Sequence, residues 1–323
     1  EYRMVRKNQV DLSNSSYIFY FDAESTITEA DFRRVLNSII TSPKKRIFEG
    51  PIIYPHKYFN ANLISRQMES TRPFNCYHCV QVMKNPPPLH LHGSNLLVEE
   101  SLVESIGWDF GRVDGLPLLA EDLMFGLKVY LKYGSEPFGW HGGKICEQPP
   151  FSIQESISAR IRWITGAWQA ISLLKRRPEL IGLSWWTRNW IIWRVRGRIM
   201  IHSLSFFAAF FVILNIFLFM FPPNFADFSS NPESSSSTFR TIQVMTSLLF
   251  FLPGTFLWLF SILNGSHKNI EMLNLSKRQR IFEYIKILVV TPVASVIESA
   301  SVFYATTRWL IGKPSYSWRV TRK

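Results

Sequence analysis

Apolar positions along this chain follow two regimes. Up to about residue 183 they come as short runs and helical spacings broken by polar turns, and beyond that as long, nearly unbroken blocks. In the first regime, Tyr17-Ile18-Phe19-Tyr20-Phe21 is a short aromatic and apolar run, the signature of a buried strand, and it ends in Asp22-Ala23-Glu24-Ser25. Phe32, Val35, Leu36, Ile39 and Ile40 recur at helical spacing. Residues 47–54 and 89–98 predict further strands. Residues 121–133 predict a helix stopped by Gly134, and 153–174 a longer one carrying Arg160, Arg162 and Trp163 and closed by Pro178. Strands alternating with helices predict an α/β domain over residues 1–183.

The second regime opens with residues 184–198, SWWTRNWIIWRVRGR. Tryptophan rings interleaved with arginines suit the headgroup layer of a bilayer, so this segment predicts an interfacial amphipathic helix. Residues 199–221 carry no charge and are long enough to span about 30 Å of hydrocarbon. Residues 242–263 form a second such run. Residues 222–241 between them are rich in Ser, Pro and Asn, whereas 264–284 carry Lys268, Lys277, Arg278 and Arg280. The positive-inside rule then puts the α/β domain and the 264–284 connection on the cytoplasmic side. That side faces the plasma membrane in a bacterium, or the ER or Golgi in a eukaryote. The stretch 285–307 contains Lys286, Pro292 and Glu298 and precedes a basic tail, so it reads either as a third span or as a re-entrant or interfacial segment. The membrane region as a whole covers 199–323.

Composition sharpens this division. The 323 residues are 47% hydrophobic, with 26 Phe and 11 Trp, and carry a net charge of +12. The basic residues cluster at the edges of apolar runs rather than on a groove-sized face, which argues for lipid and against nucleic acid as a partner. Three cysteines are too few for a disulfide framework. Cys76-x-x-Cys79 followed by His90 and His92 has the elements of a zinc site, but the H-x-H spacing is short for one, and a packed thiol pair is the preferred reading. The chain opens Glu1-Tyr2-Arg3 without an initiator Met and reads as part of a longer protein.

Four features carry chemistry. Asp22 and Glu24, one residue apart at a strand end, can hold Mg²⁺ or Mn²⁺ against the diphosphate of a nucleotide-sugar. Gly93-Ser94-Asn95 follows His92 at a strand mouth, where glycine permits close backbone approach to a ligand. Glu121 and Asp122 open a helix, where a carboxylate stays ionised and can take a proton from an acceptor hydroxyl. Arg160, Arg162 and Trp163 offer cations to a departing diphosphate and a ring to a sugar or nucleoside. Each alone fits a solvated turn, a helix cap or a charged helix face.

Their order and spacing are more specific. The blocks FDAES, HLHGSN, LAEDLMFGLKVYLKYG, GWHGGKICEQPPF and SARIRW, followed by apolar spans, resemble the membrane-integrated family 2 glycosyltransferases, the group of cellulose, chitin and hyaluronan synthases. Within it the chain is most similar to egghead-type β-1,4-mannosyltransferases and their bacterial relatives. The resemblance implies a Rossmann-like GT-A domain, truncated at its N-terminus, and an inverting transfer. It implies that Asp22 and Glu24 bind metal and diphosphate and that Asp122 is the catalytic base. Gly93, Ser94, Asn95, Glu121, Arg160, Arg162 and Trp163 then line the acceptor or nucleotide site. Two departures stand out. The metal motif is D-x-E rather than D-x-D, and Ala159 occupies the glutamine position of QxxRW, which bears on acceptor choice and processivity. The family's first nucleotide-binding strand and its earlier aspartates are expected to precede Asp22 by many residues, and only 21 do. The implied partners are a nucleotide-sugar, a lipid or glycan acceptor and the bilayer. A processive polysaccharide synthase and a non-catalytic membrane scaffold stand as alternatives.

Overall fold

The computed structural model describes residues 15–70, 91, 93–113, 115–176, 182–197, 199–200, 260 and 262–314. The expected spans at 199–221 and 242–263 and the Cys76, Cys79, His90 and His92 group lie almost wholly or wholly outside the described residues.

Two small mixed sheets form the centre. The first has the order β1 (Tyr17–Tyr20), β5 (Leu96–Glu99), β3 (Ile47–Glu49), β8 (Phe138–Trp140). The second has β2 (Thr26–Ile27), β9 (Ile145–Cys146), β4 (Ile52–Ile53), and a two-stranded ribbon pairs β6 (Arg112–Val113) with β7 (Leu116–Pro117). β1 and β3 both run antiparallel to β5, while β3 and β8 are parallel.

The expected strand over 47–54 divides in two. Its halves β3 and β4 belong to different sheets, as do β8 and β9. The register passes from Glu49↔Trp140 to Ile52↔Ile145, so the second chain carries two more residues across the break. The break falls at Gly50-Pro51 on one side and His141-Gly142-Gly143-Lys144 on the other, and Pro51 has no N–H for a ladder. Asn95 fills the gap. Its backbone adopts φ 56°, and its amide donates to the carbonyls of Pro51 (2.8 Å) and Gly143 (3.0 Å). Its own carbonyl accepts from Gly50 N–H (3.1 Å) and lies 3.2 Å from His141 Nε2. A left-handed backbone costs about 1–3 kcal/mol for a residue with a side chain, and Asn tolerates it best. Here four hydrogen bonds offset that cost.

His141 is fully buried in this junction. Burial pulls its pKa down from 6.5 to about 4, outweighing the bond to Asn95. The unfolded chain gains a proton near pH 6.5 while the folded chain resists until about 4. Stability is therefore full above that window and falls as pH drops through it, by up to about 3 kcal/mol from this group. Thermal melts between pH 7 and 4.5 should show the slope, and His141→Gln should flatten it. Parallel slopes for the two proteins would place the acid sensitivity elsewhere.

The helices cover the sheets. α1 (Glu29–Thr41) is capped by Thr28 and buries Asp31, Val35 and Ile39. Ile40, expected on the core face, is 63% exposed because it follows Ile39 by one step of about 100° around the helix. α2 (Leu63–Ser70), α3 (Glu100–Ile106), α4 (Glu121–Tyr133) and α5 (Ile153–Arg176) complete the α/β domain. α4 has the bounds expected from sequence, and α5 runs two residues further. The main core joins β5, α4 and α5 through Leu96, Val98, Phe125, Leu127, Ile171 and Leu174.

A further helix, α6 at residues 185–197, buries Ile191, Ile192 and Val195 in that core. Trp186 and Trp193 are 77% and 76% exposed, and Trp185 and Trp190 are exposed too. Residues 262–271 form α7, so the connection expected at 264–284 is partly helical. Asn269 of α7 accepts a hydrogen bond from Tyr54 N–H (2.9 Å) and so ties α7 to the end of β4.

α8 (Lys277–Leu310) starts at a capping box in which Ser276 and Gln279 satisfy each other's backbone N–H groups. Its 34 residues extend the 285–307 stretch at both ends into one continuous helix of about 51 Å, Pro292 included. It is the one helix among the described residues long and apolar enough to cross a membrane. Its polarity is inverted relative to a surface helix. The face turned to α2 and α5 buries Glu283, Thr291, Ser299, Ser301 and Thr306, whereas Phe282, Ile285, Val289, Val293, Phe303 and Leu310 are exposed. Polar pairs dock the inner face. Arg66 pairs with Glu283, Gln67 donates to Thr291 (3.2 Å) and Trp168 donates to Thr306 (3.4 Å).

Candidate active site

The site lies where β1, the segment before β5 and the start of α4 converge. The turn after β1 carries Asp22 and Glu24, both half-buried, and Ser25 N–H closes it on Asp22 C=O at 2.9 Å. These are two hard oxygen donors on one turn. Among the described residues no group of three or more His, Cys, Asp or Glu could hold a metal ion. Two carboxylates suit a divalent cation that takes its other ligands from phosphate and water, and they do not suit a closed zinc site.

Three consecutive residues tie this turn to the rest. Gly93 N–H donates to Asp122 Oδ2 at 3.0 Å. Ser94 Oγ accepts from Asp22 N–H at 3.3 Å and donates to Glu147 Oε1 at 2.6 Å. Asn95 anchors the loop in the sheet junction described above. The structure thus brings together Asp22, Gly93, Ser94 and Asp122 through direct bonds. The Asn95 amide is committed to Pro51 and Gly143, which makes it a support of the loop.

Asp122 is the second residue of α4, and its Oδ1 also accepts from Leu123 N–H at 2.8 Å. Both of its carboxylate oxygens thus accept from backbone N–H groups at the start of the helix. Glu121, the first residue of α4, is half-buried beside it.

α5 sets the approach to α4. A Cβ on Gly166 would meet backbone atoms of Leu119 and Ala120 at 3.0 Å, so glycine lets the helix lie directly on the residues leading into Glu121. Gln169 reinforces this contact, accepting from Leu119 N–H (2.9 Å) and donating to Pro117 C=O (3.2 Å). Arg162 lies one turn before Gly166 on the same helical face, and buried Ala159 lies on that face too.

Arg160 has a different environment. It is 5% exposed and pairs with Glu69 of α2, donates to Met68 C=O at 2.8 Å and lies 3.5 Å from Glu298 of α8. Its guanidinium also lies over the Trp163 ring, 5.1 Å from the centroid. Arg160 thus joins three helices, while Trp163 is 38% exposed.

Sequence reasoning gave no role to Glu147, His141 or Ser25. A signal existed for Glu147, since it sits in the block GWHGGKICEQPPF and its neighbour Cys146 pairs with Thr26, next to the metal turn.

An α/β core with a carboxylate turn at a strand end, linked through Gly93-Ser94 to a carboxylate at a helix start, fits a GT-A-type glycosyltransferase. The sequence model described as Glycosyl transferase family group 2 matches residues 17–262, and the chain belongs to that family. It is also 22% identical over 226 residues to Beta-1,4-mannosyltransferase egh of Drosophila melanogaster. That match covers 65% of this chain and 48% of the relative, so the chain spans about half the length of the relative it matches.

Proposed function

We propose that the chain belongs to an inverting, metal-dependent glycosyltransferase that moves a hexose from a UDP- or GDP-sugar to a lipid-linked or membrane-proximal acceptor. The observation that carries this reading is the Gly93-Ser94 link, which joins Asp122 to the Asp22 turn although they lie a hundred residues apart in sequence. The name of the Drosophila relative, a mannosyltransferase, favours mannose as the transferred hexose.

Asp22 and Glu24 would hold Mg²⁺ or Mn²⁺, which would neutralise the charge that builds on the departing diphosphate. Asp122 takes the proton from the acceptor hydroxyl as that oxygen attacks the anomeric carbon from the face opposite the leaving group, so the configuration inverts. Arg162 pairs with the diphosphate, and Trp163 offers a stacking face to a sugar or nucleoside. Glu121 borders the acceptor side of Asp122. Arg160 acts at one remove, holding α5 in place.

The inverted polarity of α8 and the exposed tryptophans of α6 support a bilayer against these helices. Because α7 and α8 touch the α/β domain directly, they support placing residues 264–284 on the same side of the membrane as the site, the cytoplasmic side by the charge rule.

Transfer should stop in excess EDTA and return with Mn²⁺ or Mg²⁺. The assay uses the protein in native membranes with a panel of radiolabelled UDP- and GDP-sugars, scoring label in the organic-extractable lipid fraction. Full activity in EDTA would remove the metal role of Asp22 and Glu24. Label in long water-soluble polymer would replace single transfer with polymer synthesis.

A further inference from the structure

We infer that Glu147 is a positioning residue that clamps the metal turn at both ends and holds it in register with the loop that binds Asp122. This rests on the proposed metal and diphosphate role of Asp22 and Glu24.

The argument starts from strand register. β9 pairs antiparallel with β2, with Cys146 opposite Thr26. One step beyond, Glu147 faces Ser25, and Glu147 N–H donates to Ile53 C=O of β4 at 2.8 Å. The residue is therefore fixed at the end of the central strand of the second sheet, and it is 1% exposed. Its Oε1 accepts from Ser25 Oγ at 3.5 Å, at the last residue of the metal turn. The same oxygen accepts from Ser94 Oγ at 2.6 Å. With its hydrogen committed to Glu147, Ser94 Oγ turns a lone pair to Asp22 N–H at the first residue of the turn.

One buried carboxylate oxygen thus reaches Asp22 through one serine and Ser25 directly. Because Gly93 precedes Ser94 and binds Asp122, the same contact holds the base loop. Burial excludes water that would compete for these hydrogen bonds. Glu147 itself is too enclosed to meet substrate, so its effect is expected in how well the turn is preorganised for the cation.

The test measures Mn²⁺ binding to the detergent-solubilised protein with GDP or UDP present, from the electron paramagnetic resonance signal of free Mn²⁺. Glu147→Ala should weaken Mn²⁺ binding about tenfold. Glu147→Gln, which keeps an acceptor oxygen for both serines, should recover most of that loss. Ser25→Ala should weaken binding in the wild-type background and add nothing once Glu147 is Ala, as a shared clamp requires. Wild-type Mn²⁺ affinity in a folded Glu147→Ala protein, or strictly additive effects of the two substitutions, would overturn the clamp while leaving the metal site standing. If Glu147→Ala does not fold, Glu147→Met, which fills a similar volume without an acceptor oxygen, paired with Ser25→Ala carries the same cycle. A wild-type protein that binds no Mn²⁺ with either nucleotide would remove the metal reading itself, and the clamp with it.

Discussion

Asp122→Asn should reduce kcat by about 10²- to 10⁴-fold with little change in fold stability, the usual range for losing a general base. The substitution keeps the shape of the side chain, and an amide oxygen can still accept from Gly93 or Leu123 N–H. It removes the proton acceptor, and it turns an NH₂ toward one of two backbone donors. The loss should fall on kcat more than on donor KM, because the proposed reaction sets Asp122 against the acceptor hydroxyl and not the diphosphate. Initial-rate kinetics with the best donor from the sugar panel, alongside a thermal melt, decide the matter. A variant that keeps more than a tenth of wild-type kcat would hand the proton to another group, with Glu121 the nearest alternative in sequence.

Arg160→Ala and Arg162→Ala should separate cleanly although only one residue lies between them. Arg160 is buried against Glu69, whose side chain is 2% exposed, and against Glu298 of α8. Removing the cation takes the paired charge from a buried carboxylate, a loss of about 3–5 kcal/mol. It also releases the ionic link between α5 and α8, so the melting temperature should drop sharply and activity should fall only as the folded fraction falls. Arg162 is half-buried on the face that meets the approach to α4. Arg162→Ala should leave the melt within about 1 kcal/mol of wild type and cut kcat/KM roughly 10- to 100-fold through lost diphosphate pairing. Melts and donor kinetics on both variants check this. The reverse result would assign the catalytic cation to Arg160 and make Arg162 the structural member.

Much of the fold was legible because the relevant signals are local. The run from Tyr17 to Phe21 is apolar on both faces, and it forms β1. The 121–133 helix ends at Gly134, whose φ of 70° suits glycine, so its boundary could be read directly. The division of 47–54 was not legible, because Gly50-Pro51 marks a break without saying that the two halves enter different sheets. That outcome depends on Asn95 and His141, which reach the break from distant segments. The three-residue spacing that groups Arg160 with Trp163 says nothing of which partner each one meets. The inward face of α8 was hidden for the same reason, since Glu298 looks like a flaw in a span until Arg160 stands opposite it, and Glu283 like part of a charged connection until Arg66 does.

The sequence by itself determined the order of the motifs and the residue types able to do the chemistry, and its resemblance to a known family gave the class of protein, because these depend only on which residues follow one another along one chain. Only the tertiary structure decided which of those residues are enclosed and hold others in place. The Asn95 amide is bound to two carbonyls, Arg160 is enclosed among three helices, and Glu147 is buried beneath the Asp22 turn. The physical reason is that a side chain's role follows from its partners and its access to water, and both are set by segments that meet only when the chain folds.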